Sequence, residues 1–120
     1  MTVAARNLLV VAGLSAALAV GAGAFGAHGA ASEEAAAWLR TGGEYQLIHG
    51  AAALTLALNG RFVRQGWVML VGAAIFAVTL YAMALGGPKW LGAITPIGGT
   101  LLIASWLWIA VSAARHPETR

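Results

Sequence analysis

The sequence predicts an all-α fold: a four-helix transmembrane bundle with a short interfacial helix between the first and second spans. Three observations carry that prediction. Hydrophobic residues make up 60% of the 120-residue chain and charged residues only 9%, whereas soluble domains carry about 25% charged residues to face water. The mean hydropathy is +0.79. The few basic residues stand singly at the ends of apolar runs. A chain of this length has the material for one core but not for a polar coat around it, so lipid must solvate its surface. Residues 1–120 read as a single transmembrane domain.

The first span covers about residues 7–28 and carries no formal charge when His28 is neutral. That length suffices, since a helix needs about 20 apolar residues to cross a bilayer. Gly13, Ala17 and Gly21 fall four apart on one face of it, with Ala19, Gly23 and Ala27 beside them. Helices in lipid associate through close backbone approach, which small residues permit. This helix is therefore expected at the centre of the bundle. Ala22-Gly23-Ala24 also fits the small-residue pattern of a signal-peptide cleavage site, although three further apolar runs keep the chain in the membrane either way.

Residues 32–41 read as the interfacial helix. Ser32 supplies an N-cap, Glu33 and Glu34 suit a positive first turn and Arg40 a negative last one. Gly42-Gly43 is expected to end it, with Trp38 at the headgroup boundary. The second span, about 44–60, is the weakest; its core from Tyr45 to Asn59 reaches only about 22 Å at 1.5 Å per residue. Asn59-Gly60-Arg61 turns the chain into a third span over about 65–87, and Gly86-Gly87-Pro88 breaks it. Thr95-Pro96 opens the fourth span, about 96–114, as N-cap and first helical residue. Gly98 and Gly99 allow it a close neighbour, Trp106 and Trp108 read as packing or interface anchors, and a polar tail follows.

With four spans, Arg6, Arg61, Arg64, Arg115 and Arg120 fall on one side, and Arg40 and Lys89 on the other. The positive-inside rule then puts both termini in the cytoplasm. The net charge of +3 is scattered rather than clustered, which suits topology signals and not a nucleic-acid footprint. No cysteine is present, which removes disulfides and thiolate chemistry.

Gly23-Ala24-Phe25-Gly26-Ala27-His28-Gly29, then Tyr45-Gln46 with His49, then Thr95-Pro96-Ile97-Gly98-Gly99 leading to Trp106, occur in that order. In these motifs the chain resembles domain-of-unknown-function family 423, also called uncharacterised protein family 0382, of small bacterial membrane proteins. The resemblance covers nearly the whole length. It implies an uncleaved first helix, four spans and a plasma-membrane location, and it brings no established activity, substrate or cofactor.

Polar groups inside a membrane are costly and so are candidates for function. His28 ends the first span. His49 lies roughly 6 Å below Tyr45 on one helical face. Tyr81 lies about 10 Å below the outer end of the third span, and Thr95 begins the fourth. These residues, with Glu44, form an expected polar cluster in the outer third of the bundle. It has three readings: interhelical bonds that hold the helices in register, a small outward-facing ligand or proton pocket built on His49 and Glu44, or a divalent metal held by His28, His49 and Glu44. No tight histidine spacing backs the metal reading, and no cofactor is expected. There is no HExxH, phosphate-binding glycine loop or catalytic triad at one depth, so no catalytic residues are assigned and no enzyme is expected. The leading function is a non-catalytic structural or accessory membrane component, self-associating or joined to a larger complex, with lipid as its constant partner. The alternative is a small-solute transporter or channel, or a ligand-binding protein, using the outer cluster.

Overall fold

A computed structural model describes residues 1–115; the rest of the polar tail, including Arg120, lies outside the described residues. Four long helices run antiparallel in chain order, in a body 55 × 24 × 20 Å across. Helix α1 spans Val3–His28, α2 Glu33–Asn59, α3 Val63–Ala84 and α4 Thr95–Arg115. A 3-10 turn over Lys89–Ala93 precedes α4.

Local chemistry explains most boundaries. Helix α1 begins ahead of the apolar run because the Thr2 hydroxyl accepts the Ala5 N–H at 3.0 Å, satisfying one of the orphan donors of a first turn. Ser32 does the same for α2, accepting from Ala35 N–H at 3.0 Å. Gly60 closes α2 in the left-handed region at φ 77°, a conformation that a Cβ penalises. Gly86, at φ 97°, turns the chain out of α3 just before Pro88. The structure starts α4 at Thr95 itself, and the Thr95 side chain bonds sideways and backward rather than capping: it reaches the Leu91 carbonyl at 3.3 Å and the Thr79 hydroxyl at 2.6 Å.

The expected interfacial helix is absent. Residues 32–41 and 44–60 form one 27-residue helix that runs through Gly42 and Gly43 without a break. The glycines serve close approach instead of termination. A Cβ on Gly42 would lie 2.7 Å from the Tyr81 ring, and one on Gly43 would lie 3.1 Å from the Ala19 carbonyl of α1. Neither has a positive φ, so nothing in the backbone signals a stop.

The place of α1 also differs from expectation. It packs on α2 through Ala12, Ala16 and Ala19, and buries Leu8 in a cluster shared with α2 and α3. Its Gly13–Ala17–Gly21 stripe is not the contact: nothing lies within 4 Å of a Cβ built on Gly13 or Gly21. Gly23 does meet α2, its backbone lying against Gly43. Helix α3 is the central element, contacting each of the other three. Helix α4 packs mainly on α3 and the 3-10 turn, through Gly98 against Gly72 and Phe76 and Leu102 against Met69 and Ala73, and reaches α2 through the Trp106 side chain.

Three segments are long and apolar enough to cross a membrane: Val3–His28, Val63–Ala84 and Lys89–Arg115. Helix α2 has the length, but Glu33, Glu34, Arg40, Glu44, Gln46 and His49 dilute its apolar face.

Candidate functional site

The buried polar side chains lie along helix–helix seams. Gln46 of α2, only 3% exposed, is the hub. Its Oε1 accepts the Tyr81 hydroxyl of α3 at 2.6 Å, and its Nε2 donates to Ser15 Oγ of α1 at 3.1 Å. One amide thus ties three helices, using its carbonyl and amino ends in opposite directions.

His49, one turn further along α2, ties in the fourth helix. The Trp106 indole N–H donates to His49 Nε2 at 3.0 Å. An indole nitrogen is a donor only, so Nε2 carries no proton and the ring is the Nδ1–H tautomer. That Nδ1–H donates to the Tyr45 carbonyl at 2.6 Å. Both ring nitrogens are then satisfied with the imidazole neutral. Trp106 meets the His49 ring edge-on at 5.8 Å, and Tyr45 stacks on its other side at 6.2 Å while leaning on Phe76 at 4.7 Å.

Two further bonds join α3 to α4 across one seam. The Thr79 and Thr95 hydroxyls share a 2.6 Å bond near one end of the bundle. Gln65 Nε2 donates to Ser112 Oγ at 3.2 Å near the other. Among the described residues no buried side-chain nitrogen or oxygen lacks a partner.

This placement revises the expected outer cluster. Because α2 starts at Glu33, His49 lies sixteen residues in, about 24 Å from that end, with its partner Trp106 midway along α4. Tyr45 and His49 do share a face. Tyr81 is directed to Gln46 rather than to a histidine, and Thr95 to Thr79. His28 is exposed at the end of α1. Gly26 lies against Leu39, which puts His28 about 18 Å along the axis from His49. Glu44 is exposed on a different face of α2 from the buried His49. The three proposed metal ligands are therefore apart, and no group of three His, Cys, Asp or Glu comes together among the described residues.

Sequence reasoning missed Gln46, Ser15, Thr79 and the Gln65–Ser112 pair as bonding groups, and treated Trp106 as an anchor alone. Ser15 carried a usable signal, as the one polar residue between Asn7 and His28. Gln46 precedes His49 by three residues, which puts both on neighbouring faces of one helix.

Two of the hollows on the surface of the described residues stand out, and neither is lined by Gln46, His49 or Tyr81. The larger, about 530 Å³, opens at the end opposite the termini between the α1–α2 and α3–α4 connections, beside Phe25, Trp38, Met83 and Lys89. The smaller, about 300 Å³, is a groove between α1 and α2 that includes Gly23, Arg40 and Glu44.

Residues 22–99 match the family described as protein of unknown function (DUF423). A UPF0382 membrane protein of Staphylococcus saprophyticus is 37% identical over 88% of this chain and 95% of its own length. The UPF0382 membrane protein YwdK of Bacillus subtilis is 34% identical over 92% of this chain and 98% of its own. The UPF0382 inner membrane protein YgdD of Escherichia coli is 33% identical over 92% and 91%. No solved structure matches the chain.

Proposed function

Because the chain belongs to the DUF423 (UPF0382) family of small bacterial membrane proteins, we propose that it is a non-catalytic structural or accessory component of the plasma membrane, with four spans and both termini in the cytoplasm. The observation that carries this reading is the closed polar interior. The side chains that a translocation path would use, Gln46, His49 and Tyr81, are bonded to other helices, and no buried side-chain nitrogen or oxygen among the described residues is left over for a solute. Conduction needs groups that bind and release in turn.

The fourth crossing is supported by α2 running in step with α1 along its length. Leu39 meets Gly26, Gly43 meets Ala19 and Gly23, Gly50 meets Ala12 and Ala16, and Ala57 joins the cluster with Leu8. A helix antiparallel to a spanning neighbour over that distance crosses with it, and its mid-helix polar residues Gln46 and His49 are buried in the bundle. Orientation is supported by Arg6, Arg61, Arg64 and Arg115 at one end against Arg40 and Lys89 at the other. The inner-membrane name of the Escherichia coli relative supports the location. The open Gly13–Ala17–Gly21 face leaves room for another membrane helix, which suits an accessory role.

Two experiments test this. Proteoliposomes loaded with a pH-sensitive dye and given a pH step are expected to equilibrate no faster than empty vesicles. A faster leak that disappears in His49→Ala would replace the structural reading with proton translocation. A carboxyl-terminal alkaline phosphatase fusion is expected to be inactive while a green fluorescent protein fusion is bright; the reverse pattern sinks the four-span topology.

A further inference from the structure

We propose that the hollow at the end opposite the termini binds a headgroup in which an alkyl ammonium is joined to a phosphate, supplied by the membrane as phosphatidylethanolamine. At about 530 Å³ the hollow falls within the 300–1,000 Å³ range of small-molecule sites, and it has their usual make-up of apolar walls with a few convergent polar groups. Phe25, Trp38 and Met83 supply the walls, and Glu34 and Lys89 stand at the mouth.

The two charges are 3.5 Å apart and both well exposed, at 60% and 76%. An exposed pair contributes little to stability, so stability does not account for their placement. A carboxylate beside an ammonium does complement a zwitterion of opposite order. The ligand ammonium would bond Glu34 against the faces of Phe25 and Trp38, where aromatic rings attract cations. Its phosphate would accept from Lys89 and from the Trp38 indole N–H, which has no partner among the described residues.

Depth selects the source. The candidate spans on this side end at Ala84 and begin again at Lys89. Met83, Ala84, Gly86, Gly87 and Lys89 all line the hollow, so it straddles the end of the apolar segments. The headgroup layer of roughly 5–7 Å begins where such segments end. The hollow thus opens at the level of lipid headgroups.

The headgroup identity follows from Glu34. A glycerol headgroup brings no cation and would leave the carboxylate facing a phosphate. A choline headgroup cannot donate a hydrogen bond to it. Only a primary ammonium answers both the charge and the donor requirement.

The inference is independent of the structural reading and is tested apart from it. Purified protein in detergent is titrated with dihexanoyl phosphatidylethanolamine, dihexanoyl phosphatidylglycerol and soluble phosphorylethanolamine, following the thermal unfolding midpoint. The ethanolamine lipid is expected to raise the midpoint saturably, and the glycerol lipid is not. Glu34→Gln and Lys89→Gln are each expected to weaken the effect about tenfold, the loss of one charge-assisted bond, with the lipid-free midpoint unchanged. Trp38→Phe, which keeps the aromatic wall and removes the N–H, is expected to weaken it less. Equal responses to both lipids, or variants that respond like the parent, would mean non-specific lipid contact and overturn the proposal. A response to phosphorylethanolamine but not to the lipid would overturn the membrane source.

Discussion

Gly98→Ala is expected to destabilise the protein by about 3 kcal/mol, the upper end of what overpacking a filled contact costs. A Cβ at this position would fall against the Phe76 backbone nitrogen, and 2.6 Å from the Gly72 carbonyl. These are backbone atoms of α3, so no rotamer change relieves them. The two helices must separate, and beyond the Trp106–His49 bond to α2 the backbone of α4 lies close to no other long helix among the described residues. Separation would also stretch the Thr79–Thr95 and Gln65–Ser112 bonds, since both cross the same seam. Gly99→Ala is the matched control. Its Cβ would be 3.7 Å from the Phe76 ring, ordinary contact, and alanine is the better helix former. It is expected to change stability by no more than about 0.5 kcal/mol. Unfolding by dodecyl sulfate from a mild detergent, followed by tryptophan fluorescence, measures both. Equal midpoints for the two variants would mean that α4 is not seated on α3 through Gly98.

The parts of this architecture that were legible in the sequence are those set by local chemistry. Ser32 as a cap, the turn at Gly60 and the break at Gly86-Gly87-Pro88 follow from residues within one turn of the event. The apolar runs of α1, α3 and α4 follow from composition. The continuity of α2 was not legible, because Gly42-Gly43 has the same sequence signature as a helix stop. What distinguishes it is the Tyr81 ring and the α1 backbone lying against those glycines, and both arrive from distant parts of the chain. The depth of His49 was misjudged for the same reason, since it was measured from the wrong end point. Gln46 could be seen as a polar residue entering a span. Its role could not, because Ser15 and Tyr81 are 31 and 35 residues away in sequence. Side-chain partners across a bundle depend on helix rotation, which small-residue stripes suggest only loosely. Of two stripes on α1, the one through Ala19 and Gly23 meets α2 and the one through Gly13 and Gly21 does not.

The Gln46 hub gives the second large effect. Gln46→Leu is expected to cost about 2 kcal/mol, because it strands a donor as well as deleting bonds. Ser15 can return its hydroxyl to a carbonyl one turn back in its own helix. The Tyr81 hydroxyl has no such fallback: it stands at the end of a rigid ring, in a residue only 9% exposed, with Gln46 as its partner. Tyr81→Phe is expected to cost about 1 kcal/mol, since it leaves Gln46 Oε1 unpaired while the Ser15 bond survives. The double variant is the informative one. Removing both ends of the 2.6 Å bond leaves neither a stranded hydroxyl nor a stranded carbonyl, so its cost should fall short of the sum by about 1 kcal/mol, within the range found for interhelical bonds in membranes. Additive losses in the dodecyl sulfate assay would mean that the two side chains do not meet, and with that contact would go the case that the interior of this bundle is closed by its own polar groups.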